Sequence, residues 1–480
     1  MSPSKTINIE FDKFYNIVDG KQRGSDQVHH GVNPCTGEDL WAVPVATEQD
    51  LNDAVAAAKR AFPEWRDTPL AQRKETLMKF CDLYASYIGE MTDLLCKETG
   101  KPRKFAQEEV EAVIGFIQYH CSLEIPSDKL EDEEKIIYTE YIPLGVCAGI
   151  VPWNYPLILS IGKIAPALLT GNTMVIKPSP FTPYSILKVI ELMQEVYPTG
   201  LIQAVGGNNE IGAQMCVHPD IAKISFTGST ATGKKVMESA AKTLKRVTLE
   251  LGGNDASIIM PDVDIKKVAP EVVTGAFRNS GQVCVATKRI FIHESIYDEF
   301  LAEMVSFTKK AMTVGSPEDL TSELGPVQNQ MQYEKVKEYF VDSKAKGYKF
   351  AVGAPEVSTG KGFFIQPTII DNPPNDSRIV SEEPFGPIVP TCSWSDLEEV
   401  IARVNNVNTG LGACVWGKDL DQVSKIARRL EAGSVFVNSW EKLTPLALFG
   451  GHKESGMGGE WGKTGLLNFM NAQVIHVYKS

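Results

Sequence analysis

At 480 residues the chain is too long for one simple core, so two or three domains are expected. Its 43% hydrophobic and 22% charged residues describe a folded globular protein and exclude a disordered one. A net charge of −12 with no basic stripe argues against a nucleic-acid partner, which needs clustered lysine and arginine, and against an anionic membrane surface.

The N-terminal stretch MSPSKTINIEFDKFYNIVDGK has acidic residues and no apolar segment, so no secretory signal is expected; the final YKS matches neither a prenylation nor a peroxisomal signal. His29–His30 reads as a surface pair. Two amphipathic helices follow, QDLNDAVAAAKRAFPEW and AQRKETLMKFCDLYASYIGEMTDLLCKETG, the second ending at Gly100 and Pro102. The acidic stretch DKLEDEEKIIYTEYIPLG (128–145) leads into alternating residues that predict an extended arm. The uncharged run LGVCAGIVPWNYPLILSIG (144–162) has the length of a membrane span, but Pro152, Asn154 and Pro156 interrupt it. It reads as a buried strand, a loop and a helix start.

Between 145 and 252, strand-like VCAGIV, NTMVIKP, GLIQAV, IAKISFTG and RVTLEL alternate with helix-like segments such as SILKVIELMQEV and TGKKVMESAAKTL. This predicts an α/β fold with a doubly wound parallel sheet. A second α/β region has DASIIM and RIFIHE as strands, SIYDEFLAEMVSFTKKAM and QMQYEKVKEYFVDSKAKG as helices, and the tail LNFMNAQVIHVYKS is strand-like again. There are no internal repeats and no low-complexity linker.

Five segments could carry chemistry, and each also has a plain structural reading. In PWNYP the Asn154 amide is held between prolines, either as an oxyanion donor or as part of a rigid loop. In VIKPSPFTP, Lys177 ends an apolar strand, where it either meets a ribose or phosphate or is simply solvated. FTGSTATGKKV runs from strand through Gly228 and Ser229 to a helix N-terminus, which suits an anion or serves only as a connection. It is neither a P-loop nor GxGxxG. LELGGNDA sets Glu250 in an apolar run, as a desolvated general base or a strand-end glutamate. FRNSGQVCVATKR surrounds Cys284 with small residues, as a presented nucleophile or a buried thiol. The nine cysteines (35, 81, 96, 121, 147, 216, 284, 392 and 414) are odd in number and form no CxxC, so a reducing, cytoplasmic setting without a disulfide framework is expected. The seven histidines show no HExxH spacing, so no metal is expected.

In order and spacing these segments, with NPCTGEDLWAVPVATEQDLNDAVAAAKRAFPEW, EEPFGP (382–387) and LFGGHKESGMGGE (448–460), resemble the aldehyde dehydrogenase superfamily over nearly the whole chain. The resemblance implies NAD(P)-dependent, hydrolytic oxidation of an aldehyde to the acid. Cys284 would be the nucleophile, forming a thiohemiacetal and then a thioester. Asn154 and the Cys284 backbone N–H would hold the oxyanion, and Glu250 would activate water. It places Lys177, Ser179, Gly228 and Ser229 on the adenosine and pyrophosphate, and Trp153, Glu383 and Phe385 near the nicotinamide end. Pro180 stands where NAD-preferring relatives carry a glutamate, so NAD is expected with NADP also admitted. Tyr155, Ile158, Leu159, Gly162 and Trp440 would line the substrate pocket, and Gly162, where relatives carry tryptophan, predicts a wide pocket at that point. Gly459 stands where relatives carry arginine.

The implied layout is a dinucleotide-binding domain (1–121 and 142–252), a catalytic domain (253–450) and a small β arm (122–141 and 464–480) that builds a homodimer or homotetramer. The expected partner is a small-molecule aldehyde, with no nucleic acid and no membrane. The alternatives are a semialdehyde dehydrogenase, for which WEKLTP (440–445) offers Lys442 as a carboxylate anchor, a silent cofactor-binding protein, and a thiol esterase that needs no nucleotide.

Overall fold

The computed structural model describes residues 9–357 and 360–479. The start of the stretch read for a secretory signal (1–8) and the final Ser480 therefore lie outside the described residues. Two mainly parallel sheets, each covered by helices, give the α/β architecture. In the first, the parallel strands lie side by side in the order Ile202–Ala204, Thr173–Lys177, Val146–Ile150, Lys223–Thr227, Arg246–Glu250. The chain thus builds outward from Val146–Ile150 in one direction and then restarts on its other side at Lys223–Thr227. Between those two strands the winding reverses, and in such sheets the crevice beyond the carboxyl ends at that point receives the ligand. The five strands are almost entirely buried, which is why each reads as a continuous apolar run.

In the second sheet the order is Lys349–Val352, Thr368–Asp371, Ile388–Trp394, Thr287–His293, Asp255–Ile259, Gly412–Trp416, Ser434–Val437, with only the Lys349–Val352 edge antiparallel. A third, antiparallel sheet pairs Met470–Tyr478 with Lys135–Pro143, and that strand with Asp128–Glu131. The short helix Gly462–Leu467 overlaps the start of the implied arm segment at 464, yet it packs against helix Pro156–Leu169, and Gly456–Met457 joins the edge of the first sheet. Among the described residues no helix is long and apolar enough to cross a membrane.

Three sequence readings change in detail. The segment 71–100 is two helices, Leu70–Ala85 and Ile88–Thr99. At the break the Ser86 hydroxyl bonds the Leu83 carbonyl at 2.7 Å and Tyr87 turns into the core. Gly100 does end the second helix, in the left-handed conformation at φ 72°. His29 is half-buried with Nε2 3.2 Å from the Pro180 carbonyl, so only His30 is a surface residue. Gly162 is buried, and a Cβ placed there would collide with the Trp461 indole nitrogen. The space that the missing side chain leaves is filled from a remote part of the chain.

Helix Pro156–Leu169, which starts just after Asn154, is anchored by a buried charge. Glu109 accepts from the backbone N–H of Leu157 at 3.0 Å and is ion-paired with Lys101, both side chains being almost fully buried. The carboxylate occupies the positive end of the helix and satisfies a donor that has no intrahelical partner. Removing it strands the Lys101 ammonium in the interior. Glu109→Ala is therefore expected to destabilise the fold by about 3–5 kcal/mol, read as a lower midpoint of urea unfolding; an unchanged midpoint contradicts this reading of the helix start.

Candidate active site

The loop that carries Cys284 explains why its sequence is small and polar. After helix Ile265–Phe277, Asn279, Ser280 and Gly281 all take left-handed conformations, at φ 51°, 56° and 71°. A side chain at Gly281 would strike the Gly386 carbonyl. Polar side chains lock the turn: Ser280 Oγ donates to the Gly325 carbonyl at 2.7 Å, and Gln282 Oε1 accepts from Gln328 N–H at 2.8 Å. Such a backbone costs conformational energy and persists where its surroundings over-determine it. Cys284 follows, half-buried.

Two cavities meet at Cys284 and Asn154, both of which line each of them. The first, about 270 Å³, is walled by Phe116, Tyr155, Ile158, Leu159, Trp440 and Trp461. It brings together four of the five pocket residues expected from sequence; Gly162 is not on its wall. Trp461 takes that place, with its ring edge-on to Phe116 (5.1 Å) and stacked on Phe449 (4.8 Å). The second cavity, about 330 Å³, opens over the reversal point of the first sheet and is lined by Trp153, Gly228, Ser229, Glu250, Glu383 and Phe385. Trp153 and Phe385 meet edge-to-face at 5.4 Å. Ser229 caps helix Thr230–Ala241, its hydroxyl accepting from Thr232 N–H. Lys177 and Ser179 are buried at the same carboxyl edge but outside this cavity wall. Burial lowers the Lys177 ammonium to about 8.

Asn154 Nδ2 donates one hydrogen bond to the Gln282 carbonyl at 3.0 Å. An amide has two N–H donors, and the second has no hydrogen-bond partner among the described residues. Burial pushes the Cys284 thiol up to about 12; Lys288 works against that, while Glu383, Asp255 and Glu250 add to it. Glu250 ends strand Arg246–Glu250, is 1% exposed, and has both carboxyl oxygens without a hydrogen-bond partner among the described residues. Burial first, then the charge of Glu460, raises its pKa well above the carboxylate range, and Lys163 opposes them.

Lys163 and Glu460 form a fully buried ion pair at 2.6 Å, with Thr227 and Ser225 as further partners. Sequence reading passed over both, although Lys163 is the lone charge of PLILSIGKIAPALL and is legible by the reasoning that singled out Glu250. It also missed Arg278 and Glu441 on the first cavity wall. No signal marks Trp461, whose role depends on how the chain returns. No group of three or more His, Cys, Asp or Glu able to hold a metal occurs among the described residues.

A sequence profile of the aldehyde dehydrogenase family matches residues 21–475. Aldehyde dehydrogenase LUC3 of a Fusarium species is 44% identical over 473 residues, covering 98% of this chain and 100% of that protein. Mouse retinal dehydrogenase 2 is 37% identical over 99% of this chain and 93% of its own length. Among solved structures, the NAD+ complex of an aldehyde dehydrogenase from Bacillus cereus superposes with a TM-score of 0.95 at 33% identity, covering 98% of this chain and 97% of that one. Two cavities joined at a cysteine, on this fold and with this continuous similarity, lead to one conclusion: the chain belongs to the aldehyde dehydrogenase family.

Proposed function

We propose that the protein oxidises an apolar aldehyde of moderate size to the carboxylic acid, with NAD(P)+ as acceptor and Cys284 as nucleophile. The observation that carries this reading is the position of Cys284 on the walls of two cavities, one aromatic and one bearing Ser229, Glu250 and Glu383. An aldehyde in the first presents its carbonyl carbon to the sulfur. The free N–H of Asn154 and the Cys284 backbone N–H then face the developing oxyanion, and each such donor is worth about 2.7–4 kcal/mol in the barrier.

The second cavity suits a dinucleotide. It lies at the reversal point of the sheet, with a helix N-terminus, the close-approach residue Gly228 and the Glu383 carboxylate on its wall. Ser229 would face the pyrophosphate, Glu383 the nicotinamide ribose, and Lys177 with Ser179 the adenosine end. When bound, NAD(P)+ supplies the two-electron acceptor for the hydrogen that leaves the carbonyl carbon. The chain supplies the rest: Cys284 retains the acyl group as a thioester, and Glu250 takes a proton from the water that hydrolyses it. At the adenine end Pro180 offers no carboxylate against a 2′-phosphate, and the B. cereus neighbour is an NAD+ complex while an E. coli neighbour is described as NADP dependent. We assign NAD first and admit NADP.

The semialdehyde reading needs an unpaired cation in the substrate cavity. Arg278 on that wall is bound to Glu108 at 2.6 Å, and the exposed Lys442 lies 3.4 Å from Glu271. Neutralised cations and aromatic walls favour an apolar substrate. We place the enzyme in the cytoplasm on its nine free cysteines. We assign the three-stranded sheet to self-association, because Leu130, Val474, Val477 and Tyr478 stand exposed on it.

Nucleotide reduction followed by absorbance, over aldehydes from acetaldehyde to phenyl-bearing ones, is expected to give kcat/KM rising about fourfold per added methylene, from about 0.8 kcal/mol of burial each. Cys284→Ala should abolish it, and Asn154→Ala should lower kcat about 10²–10³-fold. A preference for acetaldehyde refutes the pocket assignment, and turnover without nucleotide refutes the oxidation. Because the Cys284 pKa is raised and the thiol acts after losing a proton, kcat/KM should climb from about pH 6 to about pH 9. A profile that falls across that range is inconsistent with this role. Val474→Asp with Val477→Asp should shift the protein to a smaller species in size-exclusion chromatography; an unchanged elution volume removes the sheet from the interface.

A further inference from the structure

Lys288 lies four residues beyond the nucleophile, at the start of strand Thr287–His293, and is 4% exposed. Its chain turns back along the loop it follows. Nζ donates to the carbonyls of Cys284 at 2.8 Å, Val283 at 2.9 Å and Ala286 at 3.1 Å. An ammonium has three donors, and here all three reach the segment that carries the sulfur. A single carboxylate oxygen, Glu383 Oε1, lies within ion-pair distance at 3.3 Å.

Two physical consequences follow. In a trans peptide the C=O of one residue and the N–H of the next point in opposite directions. By holding the Val283 carbonyl, Lys288 fixes the direction of the Cys284 N–H, one of the two donors assigned to the oxyanion. A cation buried beside a thiol also favours its thiolate, the form that attacks carbonyls. Loop packing alone would be served by an apolar side chain without the desolvation that a buried ammonium carries.

We propose that Lys288 is a positioning residue for the reaction: its ammonium, seated on three carbonyls of the nucleophile loop, aims the Cys284 N–H and favours the Cys284 thiolate, with Glu383 as the opposing charge. This rests on Cys284 being the nucleophile. The charged groups facing the sulfur have the matching signs: Lys288 lowers the Cys284 pKa, and Glu383, Asp255 and Glu250 raise it. Glu383 thereby acquires a second role beside its place on the dinucleotide cavity wall: it tempers the cation that acts on the thiol.

The test is alkylation of Cys284 in the full-length protein without aldehyde or nucleotide, at about pH 8, followed by mass spectrometry of the Cys284 peptide. Because no turnover is involved, the proposal can fail while aldehyde oxidation stands. Lys288→Met should slow alkylation by neutral iodoacetamide about tenfold, the effect of one pH unit in thiol pKa. It should also lower the ratio of iodoacetate to iodoacetamide rates, because the anionic reagent loses its attracting charge. Lys288→Arg should recover most of both. Glu383→Gln should accelerate iodoacetamide several-fold. A purely structural lysine would leave the reagent ratio unchanged in Lys288→Met, and that result overturns the proposal. If Lys288→Met does not fold, Lys288→Gln, which keeps a donor for the carbonyls and loses the charge, is read by the same reagent ratio, and an unchanged ratio overturns the proposal.

Discussion

The hydrogen bond from the Asn154 amide to the Gln282 carbonyl, 3.0 Å long, joins the two halves of the molecule at the point where chemistry is assigned. Asn154 belongs to the loop after a central strand of the first sheet, and Gln282 to the left-handed turn that ends a helix on the second. Neither sheet alone makes the site. The first provides a crevice and the donor proposed for the oxyanion; the second provides the sulfur. Their alignment depends on this bond and on the Asn279 side chain, which bridges the Asn154 and Gln282 carbonyls at 3.3 and 3.2 Å. A shift of a fraction of an ångström between the sheets would separate donor from nucleophile, so the buried network beneath both loops serves catalysis through geometry.

That network consists of charges that a stable core would not need. Glu109 with Lys101, Lys163 with Glu460, and Lys288 with the loop carbonyls are all buried within a few residues of the site. Buried ion pairs seldom add net stability over well-packed apolar residues, but removing one member is strongly destabilising. Each pair here fixes something specific: a helix start, the surroundings of Glu250, the turn at Cys284. Glu250 itself is the exception, desolvated and without a hydrogen-bond partner among the described residues. An orphaned carboxylate fits a group that must exchange a proton with water during the reaction, not one that holds the fold together.

How much was legible in the sequence follows from how local each cause is. Strands such as TMVIK and KISFT are buried on both faces, so their apolar runs declare them, and the alternation with helices declares the parallel sheet. Cys284, Asn154 and Glu250 could be singled out as candidates because each stands in a short segment of distinctive composition, and the structure brings all three to the wall of one cavity. Gly162 was misread because an absent side chain says nothing about what enters the space; Trp461 enters it from 299 positions further on. The helix break at Ser86 was hidden because apolar spacing continues across it while a hydroxyl takes over one backbone carbonyl. Lys288 was hidden by its type: a lysine in a strand start reads as a surface residue until its three carbonyl partners are seen.

Among the described residues the two cavities share Cys284 and Asn154, and that partition gives the account its chemical content. In the proposed reaction substrate and acceptor approach from opposite sides, and the acyl group stays on the protein between them. Its most direct test is to mix the Glu250→Gln protein with aldehyde and NAD+, quench within seconds, and measure the intact mass. The account predicts one acyl group per chain, on Cys284, formed together with one equivalent of reduced nucleotide and only slowly released. Reduced nucleotide without any acylated cysteine, or an acyl group on another residue, would contradict it.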